Sequence, residues 1–222
     1  MQPLSFADAE KYKVNRSQEY EVTRQTLFDF QTYAGAGQTS LTFFQLPIGQ
    51  AGKTIADTNL TLAGQLAAPI YFLVESIEVY FYPADLPVNA QNAADSPDAL
   101  PSNFSNDVYE VARSGSLNFF IGSKTYLEEA PIGRFPPKTR LETEFGFAAS
   151  SVTAAAEASN QVSGDYAAFS GRPYFLDPYK ILIAPTQNFN VTLTWPMAVA
   201  LPSTQDARIG IALDGVLYRL SQ

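Results

Sequence analysis

The sequence predicts an all-β protein, a jelly-roll (Greek-key) β-sandwich built as a single roll with extra strands and long loops. Near the end of the chain, four apolar residues from Phe189 to Trp195 alternate strictly with three polar ones, which is the period of a half-buried strand. The early strand candidates are separated by long connections, as Greek-key crossovers require. The spacing of the strands is too uneven for a propeller or an up-and-down barrel.

The first half of the chain contains three predicted strands. Six alternate residues from Tyr20 to Phe30 share one parity, and residues 33–37 form a turn. A second strand covers residues 39–46 and stops before Pro47, because proline cannot donate to a ladder. Residues 48–69 form a long connection with one short helical turn at 57–62.

The strand over residues 71–82 is the strongest in the sequence. It is expected to place Leu73, Ile77, Val79 and Phe81 on one face. The opposite face would carry Ser76, Glu78, Tyr80 and Tyr82.

The second half predicts shorter strands between long loops, for a total of roughly nine or ten. Residues 84–106 form a surface loop rich in Pro, Asp and Asn. Residues 148–171 lack strand periodicity and allow either a short helix over 152–158 or a flexible excursion. The strand candidates are residues 108–112, 117–121, 125–129, 141–147 and 174–184, and no sustained helix is expected.

The last apolar segment, residues 208–220, allows two topologies. Asp214-Gly215 is a strong signal for a two-residue hairpin turn. Alternatively, one long strand runs through, with Gly215 at a bulge or a close backbone approach. Ile209, Ile211 and Leu213 share their parity with Leu217 across Gly215, which favours the single strand.

The domain organisation follows from these elements. At 222 residues, one large β domain is favoured over two small ones. Residues 1–18 form an N-terminal arm of mixed charge, and residues 1–25 are neutral in sum; the arm is interpreted either as a loosely held terminus or as a segment that orders against a neighbouring subunit. Residues 19–222 form the roll, with loop insertions near 84–107 and 148–171. An immunoglobulin-like sandwich is the nearest rival, but it is normally shorter and the Cys-Trp-Cys arrangement is absent.

Composition excludes several kinds of chemistry. The chain has no Cys and no His, which removes disulfides, the usual zinc sites and any Ser-His or Cys-His nucleophile. A formal net charge of −8 argues against direct nucleic-acid binding. No apolar stretch has the length of a membrane span. Residues 1–10 show no secretory signal, so the chain is expected in a cytoplasm or in something assembled there.

Two groups of carboxylates are considered as sites. Glu142 and Glu144 would share a strand face, and paired carboxylates are what glycoside hydrolysis uses, although a solvated face is the simpler interpretation. Asp95, Asp98 and Asp107 offer oxygen ligands for calcium, but their spacing fits no calcium loop and turn formation explains them. No catalytic residue, cofactor or metal site is therefore predicted.

Residues 123–137 form the most unusual stretch, mixing aromatic, proline and basic residues. Such a mixture suits either a contact surface or a packed corner between two strands. Five residues are candidate subunit contacts: Tyr80, Tyr82, Tyr126, Arg134 and Phe135.

The organisation of residues 19–222 resembles the jelly-roll capsid proteins of tailless icosahedral bacteriophages. The likeness is carried by FLVESIEVYF at 72–81, SKTYLEEAP at 123–131 and DGVLYRLSQ at 214–222. It implies a non-enzymatic virion subunit, assembled in the host cytoplasm, that forms trimers, pentamers or hexamers in an icosahedral shell with other virion proteins. The chain lacks the basic arm of many RNA-virus capsid proteins, and an internal membrane or a separate genome-binding protein would account for that.

Two other functions stay open. A carbohydrate- or receptor-binding module, such as a phage spike or fibre head, would show exposed aromatic side chains on one sheet face, with Tyr80 and Tyr82 as candidates. A glycosidase would depend on Glu142 and Glu144.

Overall fold

The computed structural model describes residues 20–83, 100–146, 163–170 and 172–220, with only the backbone described for 100–106, 139–146 and 163–170. The predicted arm at 1–18, the short helix at 152–158 and most of both loop insertions lie outside these residues. The described elements are, in chain order, β1 (Tyr20–Tyr33), β2 (Ser40–Phe43), β3 (Tyr71–Tyr82), α1 (Leu100–Arg113), β4 (Ser116–Ile121), β5 (Lys124–Glu129), a 3-10 turn (Ile132–Arg134), β6 (Thr139–Gly146), β7 (Ser163–Ser170), β8 (Tyr174–Phe175), β9 (Ile181–Ile183), β10 (Phe189–Thr194) and β11 (Ala207–Leu220).

The strands form two large antiparallel sheets and one separate hairpin. The five-stranded sheet has the order β1-β11-β3-β8, and β9 also pairs with β3. The four-stranded sheet has the order β2-β10-β4-β5, while β6 and β7 pair only with each other. The described chain is therefore an all-β sandwich, which confirms the predicted class at this level.

The core lies between the two large sheets and is lined by alternate residues of their strands. Phe189, Val191 and Leu193 of β10 are buried as their alternation predicts, and Trp195 continues the same face. From the five-stranded sheet, Leu27, Ile77 and Ile211 join the same cluster, together with many other apolar residues. Each such side chain contributes about 1.5–3 kcal/mol through its removal from water.

β11 is one continuous strand of 14 residues, so the predicted single strand is confirmed and the hairpin is not formed. It pairs with β1 along its whole length and with β3 on its other side. The pairing with β3 shifts at Asp214/Gly215, where Glu75 of β3 has no register partner on β11. A Cβ atom on Gly215 would lie 2.1 Å from the Leu73 carbonyl oxygen, so the bulge brings the backbones too close for a side chain.

Because of the bulge, the prediction of the sheet face on which Leu73 lies is wrong. Leu73 was placed on the same face as Ile77, but an extra residue in a strand switches the parity beyond it. Phe72 and Val74 therefore belong to the core cluster, and Leu73 pairs with Val216 on the opposite face.

α1 corrects the prediction of a strand at 108–112 and of a chain without a sustained helix. A five-residue apolar window does not distinguish the two structures. The helical spacing appears only when Leu100 and Phe104 are read together with Val108 and Val111. Pro101 suits a first helical turn, where its missing N–H is not needed.

The connection between β2 and β3 contains no helical turn at 57–62, in contrast to the prediction. Instead it lies along the free edge of β1, where the Asn59 amide donates to Thr26 O (2.7 Å) and accepts from Phe28 N (3.1 Å). The Phe30 N–H donates to Asp57 O at 2.7 Å. These bonds satisfy backbone groups that an edge strand would otherwise leave open.

The region from 139 to 184 differs from its prediction in two places. β7 lies in a segment for which no strand was expected, because its small residues hide the alternation and the backbone pairing with β6 defines it. The single strand predicted over 174–184 is two short strands, β8 and β9, with Pro178 between them. Both pair with β3.

Candidate functional site

The face of the five-stranded sheet that points away from the core carries a cluster of four aromatic side chains at one end, which we call the aromatic face: Phe28, Phe30, Tyr80 and Tyr82. The ring of Phe30 lies 6.1 Å from each of the other three, measured between centroids. The planes of Phe30 and Tyr82 differ by only 24°, and Tyr82 is 47 % exposed. The sheet therefore presents aromatic surface to solvent.

Small residues on the central strand make room for these rings. Gly210 of β11 lies between Phe30 of β1 and Tyr80 of β3 in the strand register, and Ala212 lies beside Phe28. A Cβ atom at Gly210 would lie 2.2 Å from the Phe30 ring. The ring therefore lies directly over the glycine, and the aromatic residues of β1 and β3 meet across β11.

Arg208 links the aromatic face to a neighbouring cavity. Its guanidinium carbon lies 4.6 Å from the centroid of the Phe30 ring. The same group donates to Asp57 Oδ1 (2.9 Å) and to Ala56 O (2.7 Å). The cavity has a volume of about 310 Å³ and is lined by Phe30, Gln31, Thr32, Ala51, Gly52, Lys53, Asp57 and Arg208.

Asp57 stays ionised at this cavity. Partial burial raises its pKa, but the hydrogen bonds from Thr54 and the charge of Arg208 outweigh burial and hold the pKa below its ordinary value. The Thr54 backbone N–H and hydroxyl both donate to Asp57 Oδ2, each at 2.9 Å. The carboxylate is therefore fixed in place beside Arg208.

A buried ion pair lies behind the cavity. Asp29 is fully buried and accepts from Lys53 Nζ and from the Phe44 N–H (2.6 Å). Lys53 also donates to Phe30 O at 3.0 Å. Burial raises the pKa of Asp29 above its ordinary value, although Lys53 and the Phe44 N–H act in the opposite direction.

A second charged group lies further along the same face, around Asp214 of β11. Arg24 donates to Asp214 Oδ2 at 2.5 Å, and the Thr26 hydroxyl donates to Asp214 Oδ1 at 3.2 Å. Lys138 Nζ lies 3.4 Å from Asp214 Oδ2. Burial raises the pKa of Asp214, but these donors outweigh it and the pKa falls below its ordinary value. The carboxylate is thus held as an anion on a buried part of the sheet.

Glu78 connects this group to the aromatic face and to the β6–β7 hairpin. Its Oε2 accepts from the Tyr80 hydroxyl and from the Lys138 N–H, both at 2.7 Å. Burial is the main cause that raises the pKa of Tyr80, and the hydrogen bond to Glu78 raises it further. Lys138 immediately precedes β6, so the base of the hairpin is attached to this sheet.

The stability lost on replacing Asp214 with asparagine is expected to depend on pH. A carboxylate whose folded pKa is depressed stabilises the fold above its unfolded pKa, and this contribution is lost as the pH falls through the folded pKa. The variant should therefore be less stable by about 1–3 kcal/mol at neutral pH, with the difference shrinking below about pH 4. Urea denaturation across this range measures it, and a difference independent of pH would contradict the assignment.

The predicted contact residues lie in two different places. Tyr80 and Tyr82 are on the aromatic face, whereas Tyr126 is 51 % exposed on β5 of the other sheet. Arg134 pairs with Glu129 and lies 5.7 Å from the Tyr174 ring. Phe135 is 1 % exposed and packs on the same ring at 4.7 Å, so its side chain forms a packed corner and is not on the surface.

The carboxylates considered for chemistry do not form a described site. Glu142 and Glu144 both lie on β6, where only the backbone is described. Asp107 is buried in α1 and accepts from the Ser203 N–H at 2.9 Å, while Asp95 and Asp98 lie outside the described residues. Within the described ranges, no group of three acidic residues is arranged to hold a metal ion.

Sequence reasoning missed Phe28, Phe30, Asp57 and Arg208 as members of the site. The alternation of β1 was visible, but nothing local indicated which parity faces solvent. Gly210, a glycine inside a strand pattern, was the available signal, because such a residue often marks a close approach to its backbone.

α1, with 14 residues, is the longest described helix, and none of the described helices has the length and apolar character of a membrane span. No protein-family model, no curated protein and no solved structure matches the chain.

Proposed function

We propose that this chain is a viral structural protein, the major capsid subunit of an icosahedral shell, and that its sandwich is a single jelly roll. The observation that carries the proposal is the pairing of the strands. Counting β8 and β9 as one interrupted strand and leaving the β6–β7 hairpin aside, the two sheets contain eight strands. These pair first with eighth, second with seventh, third with sixth, and fourth with fifth.

This pairing is that of one long antiparallel ribbon rolled up on itself. The β1–β11 and β3–β8/β9 pairs meet in one sheet, and the β2–β10 and β4–β5 pairs meet in the other. A rolled ribbon of this kind is the double Greek key of jelly rolls. The β6–β7 hairpin is then an insertion between the fifth and sixth strands of the roll.

Exposed apolar side chains in separate connections support repeated contacts between copies. Ile55, Tyr109, Tyr179 and Met197 are all well exposed, and each comes from a different part of the chain. A closed shell needs several distinct contacts on each subunit. We propose trimers, pentamers or hexamers within the shell, contacts to other virion proteins and to an internal membrane, and no direct contact with nucleic acid.

Lectin domains and cupins also use jelly rolls, and assembly into a shell is what distinguishes a capsid subunit from them. Assembly is therefore the test. Sedimentation velocity and negative-stain electron microscopy of the purified chain, over a wide range of protein concentration and ionic strength, are expected to show closed rings or shells. A chain that stays monomeric under every condition would overturn the proposal.

A second candidate is a carbohydrate- or receptor-binding module, such as a spike or fibre head. It is favoured by the aromatic face, because a cluster of exposed aromatic side chains on one sheet face is the mark that this function requires. Screening the purified chain on a glycan array separates the candidates, since a shell subunit without such a role is expected to bind no saccharide.

A further inference from the structure

The cavity beside Phe30 combines groups that suit one class of small molecule. At about 310 Å³ it lies at the lower end of the roughly 300–1,000 Å³ range of small-molecule pockets, so it suits a single ring and not an extended ligand. One wall is formed by Phe30, next to the exposed ring of Tyr82. Lys53 and Asp57 also line the cavity.

The polar groups at this cavity offer both donors and acceptors. Arg208 uses Nη2 for Asp57 and Ala56, so within the described residues its Nε and Nη1 donors are free for a ligand. Lys53 has three N–H bonds and uses two, for Asp29 and Phe30 O. Asp57 and the exposed Thr32 hydroxyl can accept.

The charges at the cavity are already balanced. Lys53 is paired with Asp29, and Arg208 is paired with Asp57. An anionic ligand would therefore meet no uncompensated cation, and the net charge of −8 would repel it. A neutral molecule whose hydroxyl groups both donate and accept fits this arrangement better.

We infer that the cavity and the adjoining Tyr82 ring bind an uncharged saccharide through one hexopyranose ring. The C–H face of the sugar packs on Tyr82 and the exposed edge of Phe30, and neighbouring hydroxyls bond to Arg208 and Asp57. Both side chains are held in place before binding, Asp57 by Thr54 and Arg208 by Asp57 and the Phe30 ring, which lowers the entropy lost on association. The inference rests on the second candidate function and is independent of shell assembly.

Saturation-transfer-difference NMR on the full chain tests the site, with the methyl glycosides of neutral hexoses as probes and a methyl uronide as the anionic comparison. We expect a saturation-transfer signal for at least one neutral hexoside and a weaker signal for the uronide. Tyr82→Ala, which removes the stacking ring, and Arg208→Lys, which keeps the charge but loses the planar fork, should each weaken binding about tenfold. Tyr126→Ala removes an equally exposed tyrosine from the other sheet and should leave the affinity unchanged.

The outcomes separate the site from the function. Saccharide binding that survives both Tyr82→Ala and Arg208→Lys overturns the site but keeps the second candidate function. Binding of the uronide alone overturns the preference for a neutral ligand. No binding to any saccharide, by NMR and on the array, overturns both. Thermal unfolding of each variant identifies a loss of binding caused by misfolding, and Tyr82→Ala, whose side chain is half exposed, is then the deciding variant.

Discussion

Replacing Lys53 with methionine is expected to lower the free energy of unfolding by about 3–5 kcal/mol, because it leaves Asp29 as an uncompensated charge in the core. Asp29 is fully buried and the Lys53 side chain is only 10 % exposed, so the carboxylate loses its cation while it stays buried. Methionine has a similar length and keeps the packing of the lysine stem. Urea denaturation at neutral pH measures the loss.

The loss should also depend on pH and shrink in acid, as at Asp214, but here because protonation neutralises the buried charge that the variant leaves unpaired. A carboxylate whose folded pKa is raised binds its proton more tightly in the folded state, so stability falls as the pH rises through that pKa. Without Lys53 the pKa of Asp29 rises further. The Lys53→Met protein should therefore be closer to the wild type in acid than at neutral pH.

Two further variants serve as controls for this prediction. Adding Asp29→Asn to Lys53→Met removes the buried charge and keeps an oxygen acceptor for the Phe44 N–H, so the double variant should be more stable than Lys53→Met alone. Lys124→Met, on an exposed position of β5, should change stability by no more than about 0.5 kcal/mol. A Lys53→Met loss as small as that of Lys124→Met would contradict the buried-pair interpretation.

The strands that the sequence predicts correctly are those whose alternation is local. β10 keeps Phe189, Val191 and Leu193 on one parity, which Trp195 continues, and the core does bury that parity. β11 was predicted as one strand on the same ground, since its parity continues through Gly215. The strength of these signals comes from the fixed two-residue period of a strand, which needs no knowledge of its neighbours.

The errors concern properties that only neighbouring elements determine. Leu73 changes face because of the bulge at Glu75, which arises from the pairing of β3 with β11. β7 owes its conformation to β6, and its own small residues carry little strand preference. The helical spacing of α1 was hidden because its first turns were assigned to a loop on account of their Pro and Asn content.

The candidate site was predicted in part for the same reason. Tyr80 and Tyr82 were identified because both lie on the polar parity of a strongly alternating strand. Phe30 and Arg208 belong to strands far apart in the chain, and only the register of β1 on β11 brings them together over Gly210. Asp57 joins them through a connection that lies on the edge of β1, a position that no sequence pattern specifies.

Replacing Trp195 with alanine is expected to lower the free energy of unfolding by about 3–5 kcal/mol, since it opens a large cavity in the core. The indole is 2 % exposed, packs edge-on against Tyr33 at 5.3 Å, and donates to Val111 O in the last turn of α1 at 3.4 Å. It also fills the space next to Gly115, where a Cβ atom would lie 2.7 Å from the ring. The side chain therefore joins α1 to both sheets.

Because Trp195 packs against α1, the variant should destabilise α1 more than the strands. Hydrogen exchange at residues 108–113 should become faster relative to the central strands, because α1 loses a main packing contact while the strand ladders remain paired. Trp195→Phe keeps most of the volume but loses the second ring and the hydrogen bond to Val111 O, so it should cost less than half as much as the alanine variant. If both variants lost the same stability, the hydrogen bond to α1 and not the filled volume would be the dominant contribution, and the packing argument for this corner of the sandwich would be wrong.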